Sequence, residues 1–243
     1  MNNSLRVAVG AVAVVAVALL AATLVPKGPA PGVGNEGPSP TTSPQATARP
    51  SPSSSPAVLL SGPLEPGTYA TSPVFPLAVT VTVPDGWGVL TMGTTVIVLE
   101  SSEAYLGLWI AESTDRDPCA LGGVDDSPVG PTAGDLAAAL AGAPGFETTG
   151  PIDASVGGVD GTYIELVGPV AGCTEPTLWL TPDGSCRCME STVERNRLWI
   201  VDVDGTRLVV DALEIPASDG VTGTSAAVIE EIQGMVDSLQ ISP

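Results

Sequence analysis

The chain has 243 residues, of which 44% are apolar and only 4% aromatic, so it can bury the core of one domain built mainly from aliphatic side chains. Residues 61–243 hold five arginines against 26 acidic residues, a formal net charge of −21, which argues against nucleic acid as a partner because neutralising phosphates needs clustered cations. The chain contains no histidine, which excludes Ser-His-Asp and Cys-His catalysis and histidine metal sites.

The first predicted element is a transmembrane anchor at residues 7–25. These residues carry no charge and are almost all Ala, Val or Leu, and as a helix they would span about 28 Å, close to the thickness of a bilayer core. Arg6 precedes them, so the positive-inside tendency keeps residues 1–6 as a cytoplasmic stub. A cleaved signal peptide is the alternative, because small residues occur at 21–23. Both interpretations place the domain outside the cytoplasm, as a single-pass membrane protein or a secreted one.

Residues 26–60 are predicted to form a disordered stalk. The stretch holds nine prolines among many Ser and Thr, and it has no apolar period with which to offset the entropy of ordering. Proline favours an extended spacer, which at polyproline geometry reaches on the order of 100 Å. Such a stalk would carry the domain through a cell-wall layer, and an ordinary flexible linker is the physically similar alternative.

Residues 61–243 are predicted to form one α+β domain with a mainly antiparallel sheet. Several runs alternate apolar and polar residues, as in a sheet with one covered face. Asp-Gly pairs tolerate the positive φ angles of tight turns, and one hairpin is placed at residues 158–161. The predicted strands are residues 77–83, 94–99, 105–111, 154–157, 163–167, 177–181, 198–203 and 207–211. The five Asp-Gly pairs are 85–86, 160–161, 183–184, 204–205 and 219–220.

Two helices are predicted, at residues 132–141 and 225–239. Thr132 and Asp135 form a capping-box-like start, and an Ala- and Leu-rich run follows until Gly142. In the second segment apolar residues from Val228 to Leu239 recur at helical spacing and form one stripe. An antiparallel sheet covered by the two helices is the economical architecture.

The segments LEPGTYA (64–70) and VTVPDGW (81–87) resemble the opening of exported actinobacterial domains of unknown function. The subsequent order of a strand, a short helix, the VGGVDGT hairpin (156–162) and a terminal helix is similar to the PsbP-like α+β fold. The resemblance covers most of residues 64–241 and implies that fold. Its motifs are turns and a helix end, so it implies no activity. Histidines that bind metal in some relatives have no counterpart here.

The four cysteines, Cys119, Cys173, Cys186 and Cys188, are an even number in an exported domain and predict two disulfides. Cys186 and Cys188 would share one face of a strand, and a bridge between them is expected to be strained. We therefore expect one of them to pair with Cys173 across the Asp183-Gly184 hairpin and the other with Cys119. A redox pair or a metal site is the alternative, although the spacing fits no standard zinc module.

Acidic clusters offer candidate cation ligands. Asp115, Asp117, Asp125 and Asp126 lie in a Gly- and Pro-rich loop where oxygen ligands could gather a calcium ion, and solvated loop charges are the alternative. Asp202 and Asp204 with Gly205 match the start of a calcium loop, but the later ligands are missing and a hairpin turn explains the pair.

The tryptophans Trp87, Trp109, Trp179 and Trp199 are interpreted as core or sheet-face residues. If Trp109, Trp179 and Trp199 shared an exposed face, they would instead mark a binding surface. Paired carboxylates could perform glycosidic hydrolysis, but nothing in the sequence sets two of them across a cleft. No Gly-x-Ser-x-Gly nucleophile elbow is present.

These observations favour a non-enzymatic, membrane-tethered module outside the cytoplasm that needs no cofactor. It would bind an envelope protein or a cell-wall component, and the tether, the stalk and the lack of catalytic motifs motivate this hypothesis. A calcium-dependent domain and a carboxylate-based hydrolase acting on envelope material are the alternatives.

Overall fold

The computed structural model of the chain describes residues 55–243 except for 116–117, 120–125, 170–172, 174–175, 190–192 and 219. The predicted anchor at residues 7–25 and nearly all of the predicted stalk lie outside this described part. No helix within it has the length and hydropathy needed to cross a membrane.

The described residues form an α+β fold of mostly antiparallel sheets with two helices, as the sequence predicts. The strands in chain order are β1 (Ala57–Val58), β2 (Gly62–Pro63), β3 (Gly67–Ala70), β4 (Ala78–Val83), β5 (Gly88–Met92), β6 (Val96–Glu100), β7 (Ala104–Ile110), β8 (Ser113–Asp115), β9 (Asp126–Pro128), β10 (Glu147–Val156), β11 (Val159–Gly168), β12 (Thr177–Leu180), β13 (Cys186–Cys188), β14 (Glu194–Val203), β15 (Thr206–Glu214) and β16 (Gln240–Ser242). The helices are α1 (Ala133–Ala141) and α2 (Ala226–Ser238).

A central antiparallel sheet of eight strands, in the order β10-β11-β14-β15-β7-β6-β5-β2, organises the domain. Strand β15 is buried along nearly its whole length, and its side chains enter two different cores in alternation. Leu208 and Val210 belong to the first core, whereas Val209 belongs to the second. The middle of the sheet is therefore covered on both faces, where the sequence predicted one covered face.

The first core lies between the central sheet and a layer formed by α2 and a small sheet of order β1-β3-β4-β16. Helix α2 contributes Ile232, Met235 and Val236, the spacing that places apolar residues on one helical face. Strand β1 runs parallel to β3 at the edge of this small sheet. Directly after β1, Leu59 is fully buried and its N–H donates to the Ala70 carbonyl at 2.8 Å. The predicted end of the disordered stalk at residue 60 is therefore wrong, because Ala57, Val58 and Leu59 pair and pack with the domain.

The second core lies on the opposite face, under α1 and a third sheet of order β13-β12-β8-β9. Helix α1 begins with the predicted capping box: the Asp135 N–H donates to Thr132 Oγ1 at 3.1 Å, and the Thr132 N–H donates to Asp135 Oδ2 at 2.9 Å. Leu136 and Leu140 then face the core. The two helices thus lie on opposite faces of the central sheet.

The Asp-Gly pairs take different roles. Pairs 85–86, 183–184 and 204–205 lie in turns, and Asp204 itself has a positive φ of 47°. The predicted turn at residues 158–161 is wrong: the β10–β11 turn is made by Gly157 and Gly158, both with positive φ, and the 160–161 pair lies inside β11. Of the pair 219–220, Asp219 lies outside the described residues.

The predicted pairing of the cysteines is wrong, although all four do form disulfides. Cys119 pairs with Cys173, and Cys186 pairs with Cys188. Strand β13 holds the last two Cα atoms 5.3 Å apart, within the normal span of a disulfide, so one intervening residue suffices. The bridges differ in the loops they close, with sequence separations of 54 and 2. In the chain-entropy account, they restrict the unfolded chain by about 4 and about 1.5 kcal/mol respectively.

Candidate functional site

One part of the central sheet has an open face. On β14, Glu194, Asn196, Leu198 and Ile200 are buried against the second core, whereas Arg195, Arg197 and Trp199 are partly exposed on the other face. The same alternation on β11 leaves Tyr163 and Glu165 partly exposed. With β10 at the sheet edge, three neighbouring strands present a surface beside α2, which we call the open face.

An apolar row crosses the open face from strand to strand. Ile152 on β10 is the register partner of Tyr163 on β11, which in turn is the partner of Trp199 on β14. The Tyr163 and Trp199 rings lie 5.1 Å apart between centroids and are tilted by 57°. Such a pair is a normal cross-strand contact that also presents ring surface to solvent. Ile152 at the end of the row is 59% exposed.

Polar side chains flank this row on one side. Arg195 makes ion pairs with Glu214 at 2.9 Å and with Glu165 at 3.3 Å. The Tyr163 hydroxyl donates to Glu165 Oε2 at 3.2 Å. Burial, followed by the negative charge of Glu165, raises the pKa of Tyr163 to about 12. The phenol therefore stays protonated at neutral pH and serves as a hydrogen-bond donor rather than a base.

Arg197 is a cation of the open face with unpartnered N–H groups, a feature that it shares with Arg207 on β15, whose Nε and Nη1 also lack a hydrogen-bond partner. Arg197 Nη1 donates to Gln233 Oε1 of α2 at 2.8 Å, but its Nε and Nη2 have no hydrogen-bond partner although protein atoms shield them from solvent. No carboxylate among the described residues lies within ion-pair distance of it. Buried N–H groups are normally satisfied, so two that are not indicate a place where a ligand oxygen would be favourable.

The open face continues into a small groove between the β10–β11 turn and α2. Its volume is about 230 Å³. Trp199 and Gln233 line both the groove and the open face, which makes the two continuous. The other lining residues are Ser155, Val156, Gly157, Gly158, Val236 and Asp237.

The remaining tryptophans are core residues, as interpreted from the sequence. Trp87 is buried in the first core and donates Nε1 to Glu231 Oε2 at 3.0 Å. Trp109 and Trp179 pack edge to face in the second core, with centroids 6.0 Å apart. The alternative of one exposed face shared by Trp109, Trp179 and Trp199 is wrong, because Trp199 lies on the opposite face of the sheet.

The candidate cation ligands do not form a site in the described part of the chain. Asp115 and Asp126 are register partners on β8 and β9, while Asp117 and Asp125 lie outside the described residues. No group of three or more Asp, Glu, Cys or His among the described residues could hold a metal. Asp202 instead accepts a hydrogen bond from the Ala133 N–H at the start of α1, at 2.7 Å.

A buried charged cluster joins β13 to the central sheet. Arg187 Nε donates to Asp211 Oδ2 at 2.8 Å, and Nη2 donates to Glu194 Oε2 at 2.8 Å and to Asn196 Oδ1 at 2.7 Å. Tyr105 donates its hydroxyl to Asp211 Oδ2 at 2.9 Å. Burial and then the charge of Asp211 raise the pKa of Tyr105 well above its ordinary value. Because these groups are buried and mostly paired, we assign them a structural role.

The sequence interpretation missed the open face, although it contained a signal. Arg195, Arg197 and Trp199 alternate along one strand, and residues two apart lie on the same face.

Comparison with known proteins adds no further assignment, since no family model, curated protein or solved structure matches the chain.

Proposed function

We propose that residues 61–243 form a non-enzymatic binding module at the cell envelope and that its open face takes a neutral glycan chain of the wall. The observation that carries this is the Tyr163–Trp199 ring pair next to the unpartnered N–H groups of Arg197. Aromatic rings stack on the apolar C–H faces of sugars, while few but well-placed polar groups fix their hydroxyls.

The polar groups of the open face match the chemistry of a sugar. Arg197 donates, Glu165 and the Tyr163 phenol oxygen accept, and the Gln233 amide does both, as a chain of hydroxyls requires. An acidic polymer is disfavoured because the domain carries 26 acidic residues against five arginines. A flat polar-rimmed row across three strands also fits an extended chain better than a small enclosed ligand.

The proposal extends to the rest of the chain. Residues 7–25 would hold the protein in the membrane, the part of the predicted stalk before Ala57 would span toward the wall, and the domain would belong to the PsbP-like fold. The uncharged segment at residues 7–25 and the proline content of the stalk support the first two parts. The order of elements around the 156–162 hairpin supports the third.

Cosedimentation with protein-free, insoluble cell-wall glycan tests the proposal, using the full-length protein in detergent. We expect Trp199→Ala to weaken binding about tenfold, since stacking on one ring is worth about 1.4 kcal/mol. Arg197→Met should also weaken it. Leu90→Ala is the matched control, because Leu90 is an exposed apolar residue on β5, 59% accessible, outside the open face. Equal binding by all variants would reject the open face as the site.

The same preparation separates the alternatives. Release of soluble saccharide during incubation would favour a hydrolase; Glu65, Asp85 and Glu100 line a separate groove of about 610 Å³ beside Trp87 where carboxylates could act. Capture of an envelope protein by crosslinking in cells, without glycan binding in vitro, would favour a protein partner.

A further inference from the structure

The Cys186–Cys188 bridge lies at an exposed edge. Strand β13 is the outer strand of the third sheet, and its side chains alternate between the protein interior and the surface. Arg187 points inward and is buried, so the two flanking cysteines point outward. Cys188 is exposed and Cys186 is partly exposed. A soluble thiol therefore has access to this bridge.

Other contacts hold β13 in place without the bridge. Arg187 anchors the strand through Asp211 and Glu194 of the central sheet. Residues of β13 pair with β12, and the Met189 N–H donates to the Pro176 carbonyl at 2.8 Å. Because the bridge spans a single residue, it also restricts the unfolded chain little. Opening it should leave the fold intact.

The other bridge is built differently. Cys173 is buried and Cys119 is partly exposed, and the Cys119–Cys173 bridge packs against Gly145, where a Cβ would collide with Cys119 Sγ. It closes a separation of 54 residues, so it restricts the unfolded chain strongly. The chain thus contains an internal control: one bridge has a buried cysteine and closes a long loop, whereas the other has an exposed cysteine and closes a very short one.

We propose that Cys186–Cys188 is a site of reversible thiol–disulfide exchange with an extracytoplasmic dithiol. This does not depend on the glycan-binding proposal. A thiolate of the dithiol attacks Cys188 Sγ, the S–S bond breaks, and Cys186 leaves as a thiolate that takes up a proton. The second thiol of the reagent, as its thiolate, then attacks the mixed disulfide and releases Cys188. The dithiol is oxidised to a disulfide and the protein bridge is reduced to two thiols, with two electrons transferred.

Thr177 is positioned to assist the released thiolate. Its Oγ1 lies 3.5 Å from Cys188 Sγ across the β12–β13 pair. A hydroxyl that donates to a thiolate favours the charged form, which is the species that reacts. Thr177 is a positioning residue in this scheme, since it does not exchange electrons.

Timed reduction of the full-length oxidised protein with dithiothreitol, followed by alkylation and peptide mass spectrometry, tests the proposal. We expect Cys186–Cys188 to be reduced at least about tenfold faster than Cys119–Cys173, with unchanged circular dichroism. After removal of the dithiothreitol, oxidised glutathione should restore the bridge. Joint reduction of both bridges, reduction only on unfolding, or failure to reform would overturn the proposal.

Two variants make the test sharper. Cys186→Ser/Cys188→Ser should fold with a Tm no more than about 6 °C below the parent, the shift expected for about 1.5 kcal/mol, and a larger loss would show that the bridge is a structural staple. In the reduced protein, Thr177→Val should slow alkylation of Cys188 about threefold at neutral pH, while Thr91→Val on exposed β5 should not. Equal rates in the two valine variants would remove Thr177 from the scheme.

Discussion

Arg187 and Arg197 lie on opposite faces of the central sheet and have opposite surroundings. Arg187 is buried between the carboxylates of Asp211 and Glu194, whereas Arg197 makes one hydrogen bond to Gln233 and leaves two N–H groups unpartnered. The sequence could not distinguish them, because their environments are set by strands distant along the chain. Only the tertiary structure shows that Arg187 stabilises the fold through ion pairs, whereas Arg197 has N–H groups without a hydrogen-bond partner.

Replacing Arg187 should be strongly destabilising. Arg187→Met removes the cation that faces two buried carboxylates, and losing one partner of a buried ion pair costs about 3–5 kcal/mol. Chemical denaturation monitored by tryptophan fluorescence measures the change.

Arg197→Met is the matched control for that measurement. The same chemical change at a guanidinium without a carboxylate partner in the described structure should alter the free energy of unfolding by less than about 1 kcal/mol. Similar losses in the two variants would mean that the buried cluster does not depend on charge pairing.

At the scale of elements, the central strands were predictable and the edge strand was not. The residues of β14 and β15 alternate or run apolar around an Asp-Gly turn, which is a strong hairpin signal. Strand β10 begins at Glu147 and contains Gly150 and Pro151 at a break in its register, features that a sheet tolerates only at an edge. Its sequence therefore has little strand character before Ile152.

Gly161 provides a test of the corrected turn position. Because it lies within β11 rather than in a turn, a Cβ there would collide with the Ile200 carbonyl of β14. We expect Gly161→Ala to destabilise the domain by about 1–3 kcal/mol. Thermal and denaturant unfolding of the variant measure the change.

Gly234 in α2 is the control, since the space around its Cβ position is open. Gly234→Ala should stabilise by about 0.5–1 kcal/mol, as alanine does in a helix interior. If Gly161→Ala were neutral, the close approach of β11 and β14 at this position would be refuted.

For the whole molecule, charge balance is the property read most directly from sequence. With 26 acidic residues against five arginines in residues 61–243, self-repulsion should lower the stability of the folded domain at low salt. Raising NaCl from about 0.02 to about 0.3 M shortens the screening length, and we expect the Tm to rise by a few degrees.

Calcium serves as the comparison in the same experiment. At equal ionic strength CaCl₂ should raise the Tm no further than NaCl, because no described cluster could hold a metal. A larger, saturable rise at millimolar calcium would favour the calcium-dependent alternative, whose candidate ligands are Asp115, Asp117, Asp125 and Asp126.

The candidate site was less predictable than the fold, for a physical reason. The open face exists because α2 covers only part of one sheet surface, and coverage depends on how far a helix extends over particular strands. Periodicity shows that Arg195, Arg197 and Trp199 share a face, but it does not show whether another layer covers that face. Trp199 was therefore interpreted, like the other three, as a core or sheet-face residue.

The chain's path into the domain has a mechanical consequence. A force applied to the chain before residue 55 is transmitted first to β1. Because β1 pairs with β3 in parallel, the force acts along the strand and shears its hydrogen bonds to β3. The next residue to resist the pull is Leu59, which directly follows β1 and is fully buried. The force would thus be borne by Leu59 in the first core. This core lies on the opposite face of the central sheet from Arg187 and the Cys186–Cys188 bridge. A ligand bound as proposed on the open face would stay in place while the first few residues of the domain are pulled away.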